Sequence, residues 1–248
     1  MDIWGQFRRS LVIAWKDIKI FYYKGPVVIF GVLFPLFLYF SFVIGRDLPP
    51  SWVVPGLLGT ILFFTATSIS PVVLPWEGQA RTLERLMSAP VLPETIILGD
   101  IIASLTFGAA VSSVALLGAL AFGVKIGSPL VLAAGYALAS LCFSALGNIF
   151  SVPPTNLPAT ANMIAAVIRF PIVFISGVFI PLPELPGWAR FISFFSPLTY
   201  FADLARASIQ GSSYFPPWID VLVLLLFCLL FISAAMYLHK RTMYKRLT

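Results

Sequence analysis

An all-α integral membrane protein is the fold class that this sequence predicts, and three observations carry it. Hydrophobic residues make up 59% of the 248 and charged residues only 10%, with a mean hydropathy of +0.96, whereas soluble domains carry about 25% charged residues. Six apolar stretches each reach the roughly 20 residues that a helix needs to cross about 30 Å of hydrocarbon. The basic residues behind the net charge of +6 gather on one side of those stretches. Such a composition excludes an ordinary cytosolic enzyme, a disordered chain and a nucleic-acid binder. Cys142 and Cys228 both lie in apolar runs, so no disulfide framework is implied.

The N-terminal segment, residues 3–24, precedes the first span. Trp4, Phe7, Leu11, Trp15, Ile18 and Tyr22 recur every three or four residues, and Arg8, Arg9, Lys16, Asp17 and Lys19 take the remaining face. That pattern predicts an amphipathic helix lying in the membrane interface; the other reading is a solvated cytoplasmic arm. Basic residues extend to Lys24 and no small-residue cleavage site follows, so a cleaved signal peptide is not expected.

The spans are predicted at Pro26–Gly45, Pro55–Pro75, Ile96–Val124, Pro129–Phe150, Ala159–Pro181 and Pro217–His239, in one domain covering residues 1–248. Their even apolar character fits helices, since barrel strands would alternate. Pro35 and Pro171 should kink spans 1 and 5, and span 3 is long enough to tilt or break. Eleven of the sixteen basic residues precede span 1, follow span 6 or lie between spans 2 and 3, among them Lys240, Arg241, Lys245 and Arg246. By the positive-inside rule both termini face the cytoplasm. Small residues at Ser104, Gly108, Ser112, Ala115 and Ala119 in span 3, and at Ala133/Ala137 and Ser140/Ser144 in span 4, predict close helix packing.

Span 2 carries Thr60, Thr65, Thr67, Ser68 and Ser70, followed by Pro71 and Pro75. Such hydroxyls either bond back to their own helix or line a polar pathway. Arg169 lies near the middle of span 5, where an Arg costs about 2.5–3.5 kcal/mol on insertion scales. Either it faces a cavity or a partner, or span 5 begins near Ile164, after Pro153, Pro154 and Pro158, and Arg169 snorkels to the headgroups.

Two segments outside the spans are more specific. Residues 77–90 read Glu-Gly-Gln-Ala-Arg-Thr-Leu-Glu-Arg-Leu-Met-Ser-Ala-Pro. They predict a short helix with a Glu77/Arg81 pair, an exposed patch of Leu83, Leu86 and Met87, and a stop at Pro90. Such a patch suits docking into a partner's groove; a plain surface loop is the alternative. The segment after span 5 holds Pro181, Pro186, Trp188, Phe191, Phe194, Phe195, Pro197, Tyr200 and Arg206. It is too apolar for a solvated loop and too rich in proline for a straight span, so a re-entrant hairpin dipping in from the outer face is expected.

Glu77, Thr82, Leu83, Glu84, Leu86, Ser88 and Pro90 resemble the coupling segment of the type-2 ATP-binding-cassette (ABC-2) export permeases. Arg81 stands where that family usually has Gly. Pro186, Trp188, Pro197 and Tyr200 look like the same family's outer hairpin, and the layout of the whole chain is similar to its drug, lipid and glycolipid exporters. The resemblance implies a permease subunit that moves an amphiphilic cargo outward across the cell membrane. It implies a homodimer or a sister permease, and a separate ATPase carrying ATP and Mg, because no G-x-x-x-x-G-K-[ST] loop occurs in this chain. Glu77, Arg81, Thr82, Leu83, Glu84, Arg85 and Leu86 would contact that ATPase. Spans 1, 2 and 5 would border the pathway, with Thr60, Thr65, Thr67, Ser68 and Arg169 as lining candidates and the outer Phe residues as a lid. The rival is a secondary transporter or channel, which usually shows several intramembrane ionisable groups. A membrane enzyme would need paired carboxylates or a Ser/His set, and the single histidine, His239, is expected in a basic tail with no catalytic role.

Overall fold

Proline and apolar run length decide where the helices begin. The computed structural model describes residues 3–153, 155 and 157–242, so Pro154, Lys245 and Arg246 of the sequence reading lie outside the described residues. The elements are α1 (Ile3–Phe21), α2 (Gly25–Val28), a π-helical turn (Ile29–Leu33), α3 (Phe34–Val43), α4 (Pro50–Ser68), α5 (Ser70–Gln79), α6 (Thr82–Ser88), α7 (Pro93–Ala121), α8 (Pro129–Phe150), α9 (Pro158–Ile175), a 3-10 turn (Leu182–Glu184), α10 (Gly187–Ser193), α11 (Pro197–Gln210) and α12 (Pro217–Thr242). Among these, α4, α7, α8, α9, α11 and α12 open on proline, which has no N–H to waste at a position where none is needed.

Five helices are long and apolar enough to span a bilayer: α4 with α5 as one unit over Pro50–Gln79, then α7, α8, α9 and α12. The first predicted span is assembled from α2, the π turn and α3, and its apolar stretch Ile29–Val43 is shorter than the other five. The π turn ends two residues before Pro35; this proline cannot donate to the Gly31 carbonyl, and a widened turn absorbs the defect. Span 2 is longer than expected at both ends. Span 5 is shorter, stopping at Ile175 ahead of Gly177, whose φ of +76° ends the helical path. Pro171 lies inside α9, which continues through it. Span 3 is unbroken over 29 residues, about 44 Å of helix, and so exceeds the hydrocarbon thickness.

Span 2 is the axis of the bundle: its apolar 18-residue centre is 94% buried, against 28% for that of α7, 22% for α9 and 17% for α12. Two glycines let its neighbours come close. A Cβ at Gly108 of α7 would meet Ala66 Cβ at 3.0 Å, and one at Gly147 of α8 would meet Thr67 Cα at 3.0 Å. The small-residue stripe of span 3 therefore packs against span 2. In span 4, Ser140 and Ser144 are buried, but Ala133 and Ala137 are exposed. That half of the expected stripe is corrected: the buried face there runs through Leu132, Gly135 and Ala139, and α11 fills the space, with Leu204 Cδ1 2.9 Å from a Cβ built at Gly135.

Helix α1 is amphipathic as expected, but it does not stand apart. It runs alongside the first half of α7 in the same direction: Gln6 Oε1 accepts from Thr95 Oγ1 (2.8 Å), a Cβ on Gly99 would meet Ile13 Cγ2 at 2.7 Å, and Tyr22 Oη lies 3.0 Å from Ser104 Oγ. Trp4, Phe7, Leu11 and Trp15 stay exposed as one apolar face, fit for the headgroup zone. Tyr22 departs from that stripe and is buried, and Asp17, assigned to the polar face, is buried too. The seam against α7 is a third face, formed by Ser10, Ile13, Ala14 and Asp17.

Candidate functional site

Three groups of residues deserve description, one at each end of span 2 and one at its break. At the basic end, α5 stops at Gln79 and the chain turns through Ala80 and Arg81 before α6 begins. Arg81 has φ 52° and ψ 25°, the one left-handed non-glycine among the described residues. This conformation swings residue 81 off the axis of α5, so the expected Glu77/Arg81 pair does not form. Glu77 is buried and pairs with Lys16 of α1 instead. The family's usual Gly before the Thr is explained by the same geometry, since Gly alone adopts positive φ freely.

Helix α6 docks inward. Leu83 is 1% exposed and packs with Leu74, Ile97 and Ile101, while Leu86 and Met87 lean on the same cluster. The exposed docking patch predicted from these three residues is thus corrected in part: Leu83 is spent on the helix's own bundle, and Leu86 and Met87 stay half-exposed. What α6 shows outward is Arg81, Glu84, Arg85 and Ser88, with Thr82 half-buried and its hydroxyl donating to Glu77 O (3.3 Å). The Pro90 carbonyl accepts from Arg9 and from Gln6 (3.3 Å), which ties the end of this segment to α1.

At the middle, span 2 breaks at Ile69. Pro71 cannot donate to the Thr67 carbonyl, and α5 restarts with Val72 and Val73 bonding to Ile69 O. Thr60, Thr65 and Thr67 are buried, and their hydroxyls donate to Gly56 O (2.8 Å), Ile61 O (2.7 Å) and Phe63 O (2.7 Å). Of the two readings of the span 2 hydroxyls, these three follow back-bonding. Ser68 differs: it donates to Phe64 O (2.5 Å) and also accepts from Arg169.

Arg169 is 2% exposed and does not snorkel. Its guanidinium donates to Ser68 Oγ (2.9 Å), Asn162 Oδ1 (2.9 Å) and Ala165 O (3.3 Å). Among the described residues no carboxylate lies within ion-pair distance of it. It borders a chamber of about 40 Å³ walled by Phe30, Phe34, Phe64 and Phe170. Beside this lies a cleft of about 510 Å³ lined by Val27, Phe30, Ser68, Val72, Trp76 and Asn162, between span 2, α9 and the first span. A buried cation with neutral partners next to an apolar cleft can receive an anionic or strongly polar group.

At the opposite end, the hairpin is a packed unit. Pro186 precedes α10, Pro197 opens α11, Trp188 is 68% exposed, and Tyr200 is buried with its hydroxyl donating to Phe194 O (2.8 Å). Arg190 donates to Leu182 O (2.9 Å), Pro183 O (2.7 Å) and Leu185 O (3.0 Å), which satisfies backbone that proline and the turn leave open. Arg206 is buried under Gly177 O and Val178 O, where α9 ends. Asp203 accepts from the amides of Tyr214 and Phe215 (2.9 and 2.8 Å).

Sequence reasoning missed His239. It is 1% exposed, with Nε2 2.9 Å from Asn148 O and 3.1 Å from Ser151 Oγ. The signal was present: Leu224, Cys228, Ala235 and His239 fall on one buried helical stripe. Lys16 and Asp17 read as surface charge in sequence, because nothing local reveals the packing of α5 and α7 against this face. Cys142 and Cys228 are free and buried.

A model of the ABC-2 type transporter family matches residues 4–209, from α1 to the end of α11. No curated protein matches the chain. The match covers most of the chain and takes in the turn at Arg81, the break in span 2 and the hairpin after α9. This protein therefore belongs to the ABC-2 type transporter family, as the multi-pass membrane permease component of an ABC-type transporter.

Proposed function

We propose that the chain is the permease subunit of an exporter that moves an amphiphilic substrate, of the drug, lipid or glycolipid kind, out of the cytoplasm or the inner leaflet. A separate ATPase, holding ATP and Mg, supplies the work. Two permease copies, or this chain and a sister subunit, enclose the pathway in the cell membrane with both termini in the cytoplasm. The exposed apolar faces of α9 and α12 serve lipid and the second copy.

One observation carries this reading: α6 is fused to the central axis by Leu83 and presents Glu84 and Arg85 outward. Force on those two charges reaches Glu77, α5 and the break beside Ser68 without passing through a loose loop. Alternating access is then a population shift between two arrangements, driven by their different affinity for the nucleotide-loaded ATPase. Ser68 and Arg169 receive the polar end of the cargo, the adjacent cleft of about 510 Å³ its apolar part, and the outer hairpin forms the lid.

The test is to reverse the outward charges, Glu84→Lys together with Arg85→Glu, and to measure ATPase co-purification and cargo transport in reconstituted vesicles. Both should fall at least tenfold while the thermal midpoint of the permease stays put. Unchanged co-purification and transport would refute the coupling role. Transport that follows a proton gradient and ignores ATP depletion would favour the secondary-transporter reading.

A further inference from the structure

The joint between α1 and the bundle buries more negative charge than its one lysine balances. Lys16 Nζ lies 3.0 Å from Asp17 Oδ1 and is ion-paired with Glu77 Oε1, and both carboxylates are 2% exposed. A third carboxylate, Asp100 of α7, is 2% exposed and interacts electrostatically with Asp17, Glu77 and Lys16. Neither of its oxygens has a hydrogen-bond partner. The one neutral donor beside it is the Asn148 amide, which also donates to Ser70 Oγ (3.2 Å) and Ser144 O (3.4 Å). Asp17 reaches this place because Ile13, one turn earlier, seats on Gly99, the residue before Asp100.

Three carboxylates and one ammonium would leave two net negative charges away from water, an arrangement that buried sites avoid by taking up a proton. The other elements around the cluster do not supply the missing charge. From α1 the Tyr22 phenol faces in and is bonded to Ser104; Lys24 lies farther along, over the Trp76 ring at 4.1 Å. From α6 only Arg85 approaches, on the opposite rim of a groove. From α8 comes the neutral Asn148, and from α12 His239, engaged with Asn148 O and Ser151. The groove, about 620 Å³ and lined by Lys16, Glu77, Thr82 and Arg85 among others, opens on the ion pair and gives protons a route to it.

We infer that Asp17 and Asp100 hold a proton between them, and that this proton fastens α1 against α5 and α7. With the proton bound, Lys16 neutralises Glu77 and the seam is closed. When it leaves through the groove, like charges face each other across the seam and α1 loosens from the bundle. Burial pushes the Asp17 carboxyl up to about 7; Lys16 opposes this and Glu77 adds to it. For Lys16, burial pulls downward, but Asp17 and Glu77 outweigh it and hold the ammonium above its ordinary range. The titrating group near neutrality is thus the acid and not the lysine.

The test needs neither an ATPase nor a cargo, so it stands or falls apart from the export reading. The full chain in lipid nanodiscs carries Ile13→Cys, in the seam, or Val12→Cys, on the exposed side. Maleimide labelling of each is followed from pH 6 to pH 8.5, and the ratio of the two rates removes the thiol's own pH dependence. The ratio should rise at least fivefold with pH in the otherwise unchanged chain and stay flat when Asp17→Asn is added. Asp100→Asn should flatten it as well, and Asp17→Glu should keep the rise. A ratio that ignores pH in the parent chain overturns the inference, as does a rise that survives Asp17→Asn.

Discussion

The guanidinium of Arg169 donates to Ser68 Oγ at 2.9 Å, one residue before the break in span 2. This bond joins α9 to the last turn of α4, where the helix would otherwise end with nothing but its own back-bonded hydroxyl. Removing the acceptor by Ser68→Ala leaves a buried charged donor short of a partner. That should cost about 1–3 kcal/mol and lower the thermal midpoint in detergent by several degrees.

Replacing the cation itself separates packing from handling of the cargo. Arg169→Met fills a similar volume without a charge, and buried ions exchanged for apolar groups are often neutral or stabilising. The midpoint should hold or rise, while transport of an anionic amphiphile in vesicles falls at least tenfold. Arg169→Lys keeps the charge but loses the fork that reaches Ser68 and Asn162 together, and should recover only part of the activity.

Arg81 holds a left-handed backbone at the turn into α6. The conformation costs an L residue roughly 1–2 kcal/mol, so Arg81→Gly should stabilise the protein by up to about 1 kcal/mol after its added chain entropy is counted. Arg81→Val should do the opposite, because a β-branched side chain fits this region least well. Paired melting curves of the two variants check the sign.

The close approach of α7 and α8 to α4 leaves no room for a side chain at Gly108 or Gly147. The obstacle is backbone of span 2 at Gly147, and Ala66 Cβ with its backbone at Gly108, in neither case a flexible side-chain end. Gly108→Val or Gly147→Val should cost about 1–3 kcal/mol or more by overpacking, read as loss of the monodisperse peak on size exclusion.

The charge cluster sets a pH dependence whose sign can be worked out. The Asp17 carboxyl titrates near 7 in the folded protein and near 3.8 in the unfolded chain. Between about pH 4 and 7 the folded state therefore binds more protons, and stability falls as pH rises through that window. Asp17→Asn removes this loss, so its midpoint should overtake the parent's progressively up to about pH 7 and keep a constant lead above. Lys16→Met strands the carboxylates instead and should destabilise by about 3–5 kcal/mol, most severely at alkaline pH.

The apolar helices, the short helix after span 2 and the hairpin after span 5 are legible because each is written locally. An apolar run of fixed length, a Pro90 stop or a cluster of Pro and Phe says what the backbone there must do. Facing was less legible. Leu83, Leu86 and Met87 form a stripe whether they meet the bundle or a partner, and only the turn at Arg81 directs them inward. Asp17 shares its helix face with exposed lysines in sequence, yet the tilt of α1 against Gly99 buries it. His239 looked like tail because Lys240 and Arg241 follow it, although it is the last member of the buried stripe of α12. Arg169 could be placed in span 5 but not paired, since Ser68 and Asn162 are ordinary polar residues far away in sequence or two turns off.

Span 2 is enclosed by other helices along nearly its whole length. A helix pair walled in on all sides cannot slide or tilt unless its surroundings rearrange with it. Residues such as Ala66 and Thr67, seated under Gly108 and Gly147, would then weigh on the proposed export cycle through packing alone.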